Sequence, residues 1–208
     1  MIDPGTVLMF FTTSVLLGLS PGPDNLFVMV QASRFGRRAG LLVTLGLCTG
    51  LLFHTAAVTF GLAALFKTSA AAFSLLKGAG ACYLLYLAWL SFRAGISSDP
   101  AAATERISSA ALYGRGIIMN ITNPKVSIFF LAFLPQFTDP AKGPLSLQLL
   151  QLGGIFIVAT IIVFGAISIL AGTFGEKFRQ SLFAQKVLNR AAAGIFAGLA
   201  LKLAVAHR

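Results

Sequence analysis

Charge is scarce in this 208-residue chain: charged residues make up 11% of it, and only 6 are acidic, under half of the roughly one quarter usual in a soluble domain. Acidic side chains are too few and too dispersed to form a carboxylate cluster. There is no H-E-x-x-H pattern, so a membrane-embedded metallohydrolase has no foothold. The 2 cysteines, Cys48 and Cys82, lie alone inside apolar runs with no C-x-x-C or histidine beside them. That excludes a disulfide framework and argues against zinc; both are expected as small buried packing residues. They also lie away from every helix break described below, which counts against a membrane carrier that passes electrons through paired thiols. Before the first apolar run there is no basic residue, and after it no small-residue cleavage site, so that run is expected to stay as a helix rather than leave as a signal peptide.

What fills the chain instead is apolar. Hydrophobic residues are 57% before 21 glycines are counted, and the mean hydropathy is +0.86, so the solvent this composition suits is a bilayer. A membrane helix takes about 20 residues, and roughly six fit this length. Six segments stand out, at 5–33, 40–66, 70–92, 116–135, 145–173 and 187–206. They lack the alternation of outer-membrane strands. The expected fold is therefore all-α: a polytopic membrane protein of six transmembrane helices.

The net charge of +10 would point to nucleic acid in a soluble protein. Here the basic residues punctuate apolar runs and report orientation instead, so no nucleic-acid partner is expected. Arg34, Arg37, Arg38, Arg93, Arg106, Arg115, Lys177, Arg179, Lys186 and Arg190 fall on one side. The opposite side holds only Lys67, Lys142 and Arg208, with Lys77 and Lys202 close enough to helix ends to snorkel. Both termini are expected outside. The polar stretch Ala94 to Ala110 then lies in the cytoplasm, and the chain divides into a three-helix repeat over 1–93, a linker over 94–115 and a second three-helix repeat over 116–208. Because three is odd, the second repeat enters the membrane from the opposite side, the geometry of inverted-repeat transporters.

Two segments are interrupted. The first carries S-P-G-P-D-N, Ser20 to Asn25: Pro21 and Pro23 lack the N–H a helix interior needs, Gly22 adds freedom, and Pro23 suits the first position of a new helix. The fourth carries N-I-T-N-P-K, Asn120 to Lys125, with Pro124 breaking the ladder. A break inside hydrocarbon leaves backbone groups that must be satisfied by protein, water or ligand, so each is expected to line a cavity, where N–H groups at a helix start favour a carboxylate. Asp24 lies ten residues before Arg34 and Lys125 ten after Arg115, which at 1.5 Å per residue places both charges ~15 Å deep, near the midplane. Ionised groups there are costly and are expected to face inward with a partner. A static bridge between Asp24 and Lys125 is one reading. A binding site for a zwitterion, formed by Asp24, Asn25, Asn120, Asn123 and Lys125, is the other, and a buried pair is often no more stable than apolar packing. His54, deep in the second segment, is a packing histidine or, with Asp24, part of a proton relay. Gly46-x-x-x-Gly50 and Gly194-x-x-x-Gly198 are close-contact motifs, within the chain or in a homodimer.

Together S-P-G-P-D-N-L-F, G-R-R-A-G with the following G-x-x-x-G, and N-P-K-V-S-I-F-F-L-A-F-L-P-Q-F resemble the lysine-exporter superfamily, in its RhtB branch, over nearly the whole chain. The resemblance implies a bacterial inner-membrane exporter of amino acids or close derivatives, driven as an antiporter by protons, with no cofactor and no metal. It maps the family motifs onto Pro21, Gly22, Pro23, Asp24 and Asn25, then Asn123, Pro124 and Lys125. An amino-acid or small-solute channel is the alternative from another class.

Overall fold

In the computed structural model, residues 2–20, 22–68, 70–93 and 108–179 are described, together with residues 187, 190, 193, 194, 196–198, 200, 201 and 204. Among them the architecture is all helical. The chain begins with α1, Pro4–Leu19, whose N-terminus is capped by Asp3: Thr6 donates to it from both its backbone N–H, at 3.0 Å, and its hydroxyl, at 2.6 Å. That is what an N-cap carboxylate does for orphan amides. After a bend of 63° the chain resumes as α2, Pro23–Phe35, and stops at Gly36, whose φ of 85° only glycine adopts readily. Helix α3, Arg37–Thr68, and α4, Ala70–Arg93, follow.

Helix α5, Ser109–Thr122, starts seven residues before the apolar run because Ser108 caps it, its hydroxyl accepting from Ala111 N–H at 3.2 Å. Asn123 closes it, and the chain turns by 49° into α6, Pro124–Ile128. A π-helical turn, Phe129–Phe133, and 3₁₀ turns at Leu134–Phe137 and Pro140–Lys142 lead to α7, Leu145–Arg179. The described residues beyond position 186 are helical. Half of the sixth apolar segment, the linker residues 94–107 and Pro21 lie outside the described residues.

Two helices, over Arg37–Gly61 and Leu145–Thr173, are long and apolar enough to cross a membrane, and each bent pair, α1 with α2 and α5 with α6 to Phe137, passes the same test together. Less than half of either straight span is buried by protein, 44% and 39%; residues such as Leu52, Phe53, Phe60, Ile161 and Ile162 are exposed and suit acyl chains.

Packing divides at the breaks. Residues before the first break and after the second, Phe10, Leu17, Val126, Phe129, Phe130, Phe133 and Phe137, form one buried cluster with Phe156 of α7. Residues after the first break and before the second, Val28 and Leu112, form another with Val43, Leu47, Val163 and Phe164. Both breaks therefore lie between two apolar plugs. In the first plug the rings of Phe10 and Phe137 meet edge to face at 5.0 Å, and Phe129 sits 5.0 Å from Phe133.

Helix α3 is the hub, packed against α7 and α5. Gly46 lies so close to the Tyr113 carbonyl that any Cβ would collide with it, and a Cβ on Gly50 would meet Asn120 Cβ at 2.6 Å. The first G-x-x-x-G contact thus joins α3 to α5 inside one chain, whereas among the described residues nothing lies within 4 Å of a built Cβ on Gly194 or Gly198. Cys48 is buried as expected, but Cys82 is exposed, because it projects from a face of α4 that the described residues leave uncovered.

Candidate functional site

Breaking α1 frees the carbonyls at its end, and several of them find donors across the break. Gly18 O accepts from Asn25 Nδ2 at 2.6 Å. Leu17 O and Ser20 O accept from Lys125 Nζ at 3.3 and 3.1 Å, with Ser20 Oγ at 3.5 Å. The ammonium of the other broken span therefore caps the C-terminal end of α1, where carbonyls and helix dipole both favour a cation. Lys125 Nζ can lie there because residue 22 is glycine: a Cβ on Gly22 would meet it at 3.0 Å and Asn25 Oδ1 at 3.8 Å. Phe196 covers the same ammonium, its ring centre 6.0 Å away.

The second break is built the same way. Asn123 Oδ1 accepts from Lys125 N–H at 3.0 Å and so caps α6. Asn120 O accepts from Asn123 N–H at 3.1 Å and faces His54 Nε2 at 3.1 Å. A carbonyl only accepts, so His54 must carry its proton on Nε2. In each restarted helix proline takes the first position and the charge the second: Pro23 with Asp24, Pro124 with Lys125.

Asp24, Asn120 and Asn123 are 2–3% exposed, Lys125 6% and Asn25 9%. The carboxylate of Asp24 is within electrostatic reach of Lys125 and His54, and the amides of Asn123 and Asn120 are beside it. Asp24 and Lys125 form no direct ion pair; the ammonium is spent on carbonyls instead. This leaves Asp24 Oδ1, Asn25 Oδ1, Asn120 Oδ1 and Asn123 Nδ2 buried without a hydrogen-bond partner. Buried polar atoms are normally satisfied, so this carboxylate oxygen and these three amide atoms are open to a ligand or to water.

The structure thus brings Asp24, Asn25, Asn120, Asn123 and Lys125 together, with Ser20, Gly22, Pro23 and Pro124 shaping the two turns. Ser20 is itself buried, 1% exposed. His54 joins the edge of this group, its ring tilted against that of Phe130 with centres 5.5 Å apart. Nothing in the sequence sets Phe196 apart among 19 phenylalanines. Gln31, 6% exposed with Oε1 unpartnered, was legible: it lies seven residues after Asp24, on the same face of α2.

The string Gly18-Leu19-Ser20-Pro21-Gly22 fits the Gly-x-Ser-x-Gly pattern of serine hydrolases, which requires a strand entering a sharp turn. Here it follows a helix, and the cation beside Ser20 Oγ is a hydrogen-bond donor to two carbonyls rather than a base.

The profile described as LysE type translocator matches residues 15–207. The chain belongs to that family. Among relatives of this translocator, the homoserine/homoserine lactone efflux protein of Salmonella typhimurium is 35% identical over 187 residues, 90% of each chain. The leucine efflux protein of Salmonella typhi is 31% identical over 206 residues, covering 94% of this chain and 92% of its own. An uncharacterized membrane protein of Vibrio cholerae is 31% identical over 199 residues, 96% of each. No solved structure matches the translocator.

Proposed function

We propose that this translocator exports amino acids or close derivatives across the bacterial inner membrane by alternating access, with both termini outside and protons moving inward in exchange. The observation that carries the reading is the group of buried, unsatisfied polar atoms around Asp24 at the meeting of two broken spans. A zwitterion supplies what that group lacks. Its ammonium donates to Asp24, and its carboxylate belongs near the positive pole made by Lys125, with Asn25, Asn120 and Asn123 completing the shell. The efflux names of the relatives give the same class of cargo.

Release follows from protonation. When the outer plug opens, a proton taken up by Asp24 weakens its hold on the ammonium, and return to the inward state delivers that proton to the cytoplasm. His54 stands close enough to relay it, although its Nε2 proton must first leave the Asn120 carbonyl.

Export assays on Asp24→Asn and Lys125→Met, each matched for membrane abundance, test the reading. Both variants are expected to lose export by at least about tenfold. Transport that survives both substitutions removes the site. A pore differs in counterflow, since a carrier accelerates entry of labelled amino acid when the far side is loaded and an open channel does not.

A further inference from the structure

Resting on that reading, we infer that Asn25 and Asn123 form a polarity pair that reads the two ends of the substrate, and that Lys125 positions the break rather than binding the carboxylate itself. Each amide has one end fixed by the backbone, which determines what its other end offers. Asn25 donates through Nδ2 to Gly18 O at 2.6 Å, so its unpartnered atom is the acceptor Oδ1. Asn123 accepts through Oδ1 from Lys125 N–H at 3.0 Å, so its unpartnered atom is the donor Nδ2. The two orientations cannot be exchanged without losing one of these bonds, because an amide oxygen cannot donate and an amide nitrogen cannot accept.

The free valences are therefore of opposite kind. Asn25 Oδ1 and Asp24 Oδ1 are acceptors for an ammonium, while Asn123 Nδ2, which faces the Asp24 carboxylate with its two N–H groups, has a donor to offer a carboxyl oxygen. Both side chains are more than nine-tenths buried. They share one neighbourhood, since Asn123 lies beside Asp24 and Asn25 Oδ1 lies over Gly22 next to Lys125 Nζ. Lys125 has three protons and three acceptors, Leu17 O, Ser20 O and Ser20 Oγ. A carboxylate contacting it directly would have to uncover the end of α1; one held by Asn123 need not. The sequence contributes to the same arrangement, for both asparagines flank a proline that restarts a helix: Asn25 follows Pro23 by two residues and Asn123 precedes Pro124.

The test uses the full translocator in proteoliposomes, with the amino acid that gives the strongest counterflow among the proteinogenic set and homoserine. If none gives counterflow, the exporter reading falls first. The chosen amino acid is then prepared with a ¹³C-carboxyl and bound to protein labelled with ¹⁵N either on asparagine side chains or on lysine Nζ. Magic-angle NMR is expected to show a short ¹³C–¹⁵N distance with asparagine label that disappears in Asn123→Ser. Serine keeps an N-cap for α6 but removes the amide donor, so the variant is expected to fold and to bind about tenfold or more weakly. A short distance to lysine Nζ, or a dipolar signal that persists in Asn123→Ser, overturns the assignment while leaving the exporter reading intact.

Discussion

At the scale of single residues, the site is governed by where the carbonyls freed by a broken helix find their donors. Lys125 serves Leu17 and Ser20, and Phe196 shields it. Replacing it with methionine leaves the Ser20 carbonyl without that donor, at a loss of about 1–3 kcal/mol, while Leu17 O keeps only the Ser20 N–H at 3.3 Å. Lys125→Met is therefore expected to melt earlier in detergent than wild type as well as to lose export, whereas Asp24→Asn, which keeps size and hydrogen-bonding capacity, is expected to lose export with little change in melting. Equal melting of both variants would show that the ammonium is not the cap of α1. Gly22→Ala is a subtler probe. Its methyl would press on the end of the Lys125 side chain, at 3.0 Å, and touch Asn25 Oδ1 at an ordinary 3.8 Å, so the fold should survive while the ammonium shifts; export several-fold below wild type at normal abundance is the expected result.

Much of this was legible in residues. Two prolines and a glycine before Asp24, and a proline before Lys125, announce breaks with a charge at the second position, and the helices restart at Pro23 and Pro124 as that chemistry requires. What the sequence could not reveal was the partner of the ammonium. Spacing places opposite charges at one depth and invites a salt bridge, but the nearest acceptors are backbone carbonyls, which one-letter codes do not display. Nor could composition tell the buried cysteine from the exposed one, since Cys48 and Cys82 sit in equally apolar runs and only the packing of α3 and α4 separates them.

Among whole elements, the tightest joint is α3 against α5. Gly46 faces the Tyr113 carbonyl and a Cβ on Gly116 would meet the Val43 carbonyl at 2.5 Å, so two backbones touch with no side chain between them. Backbone cannot step aside as a flexible side chain can. Gly46→Leu is expected to destabilise by at least about 1–3 kcal/mol, the usual range for overpacking, and to reduce membrane abundance; Gly194→Leu, whose Cβ meets nothing within 4 Å among the described residues, is expected to do neither. A chemical denaturation series in detergent separates the two. The N-terminus of α1 carries a pH signature of its own. The Thr6 hydroxyl and amide, with Lys142 at 3.4 Å, hold the Asp3 carboxyl down at about 2. A depressed carboxylate stabilises above its unfolded value of 3.8 and loses that contribution as pH falls toward about 2. The melting difference between wild type and Asp3→Asn is accordingly expected to be constant through neutral and mildly acidic pH and to shrink only in strong acid; a difference that shrinks near neutrality would contradict this capping geometry.

For the molecule as a whole, the two breaks lie between apolar plugs made from opposite halves of the same spans, so neither face can open without moving one half of each broken span. Phe10 and Leu17 belong to the plug before the first break, and Val28 and Ala32 are buried beyond it. On the alternating-access reading proposed above, bending at Ser20 and Gly22 and at Asn123 would loosen one plug while leaving the other closed, which is what a carrier needs and a pore does not. The proposed proton coupling would act at the same place. If Asp24 exchanges the substrate ammonium for a proton at the outer face, acid outside must speed release and alkali inside must speed the return. Proteoliposomes loaded with substrate are therefore expected to empty faster into a mildly acidic medium than into an alkaline one. A protonophore should remove the part of that difference that comes from the gradient. Efflux rates that ignore both external pH and the protonophore would leave an amino-acid carrier without proton coupling, and Asp24 would then be a substrate ligand alone.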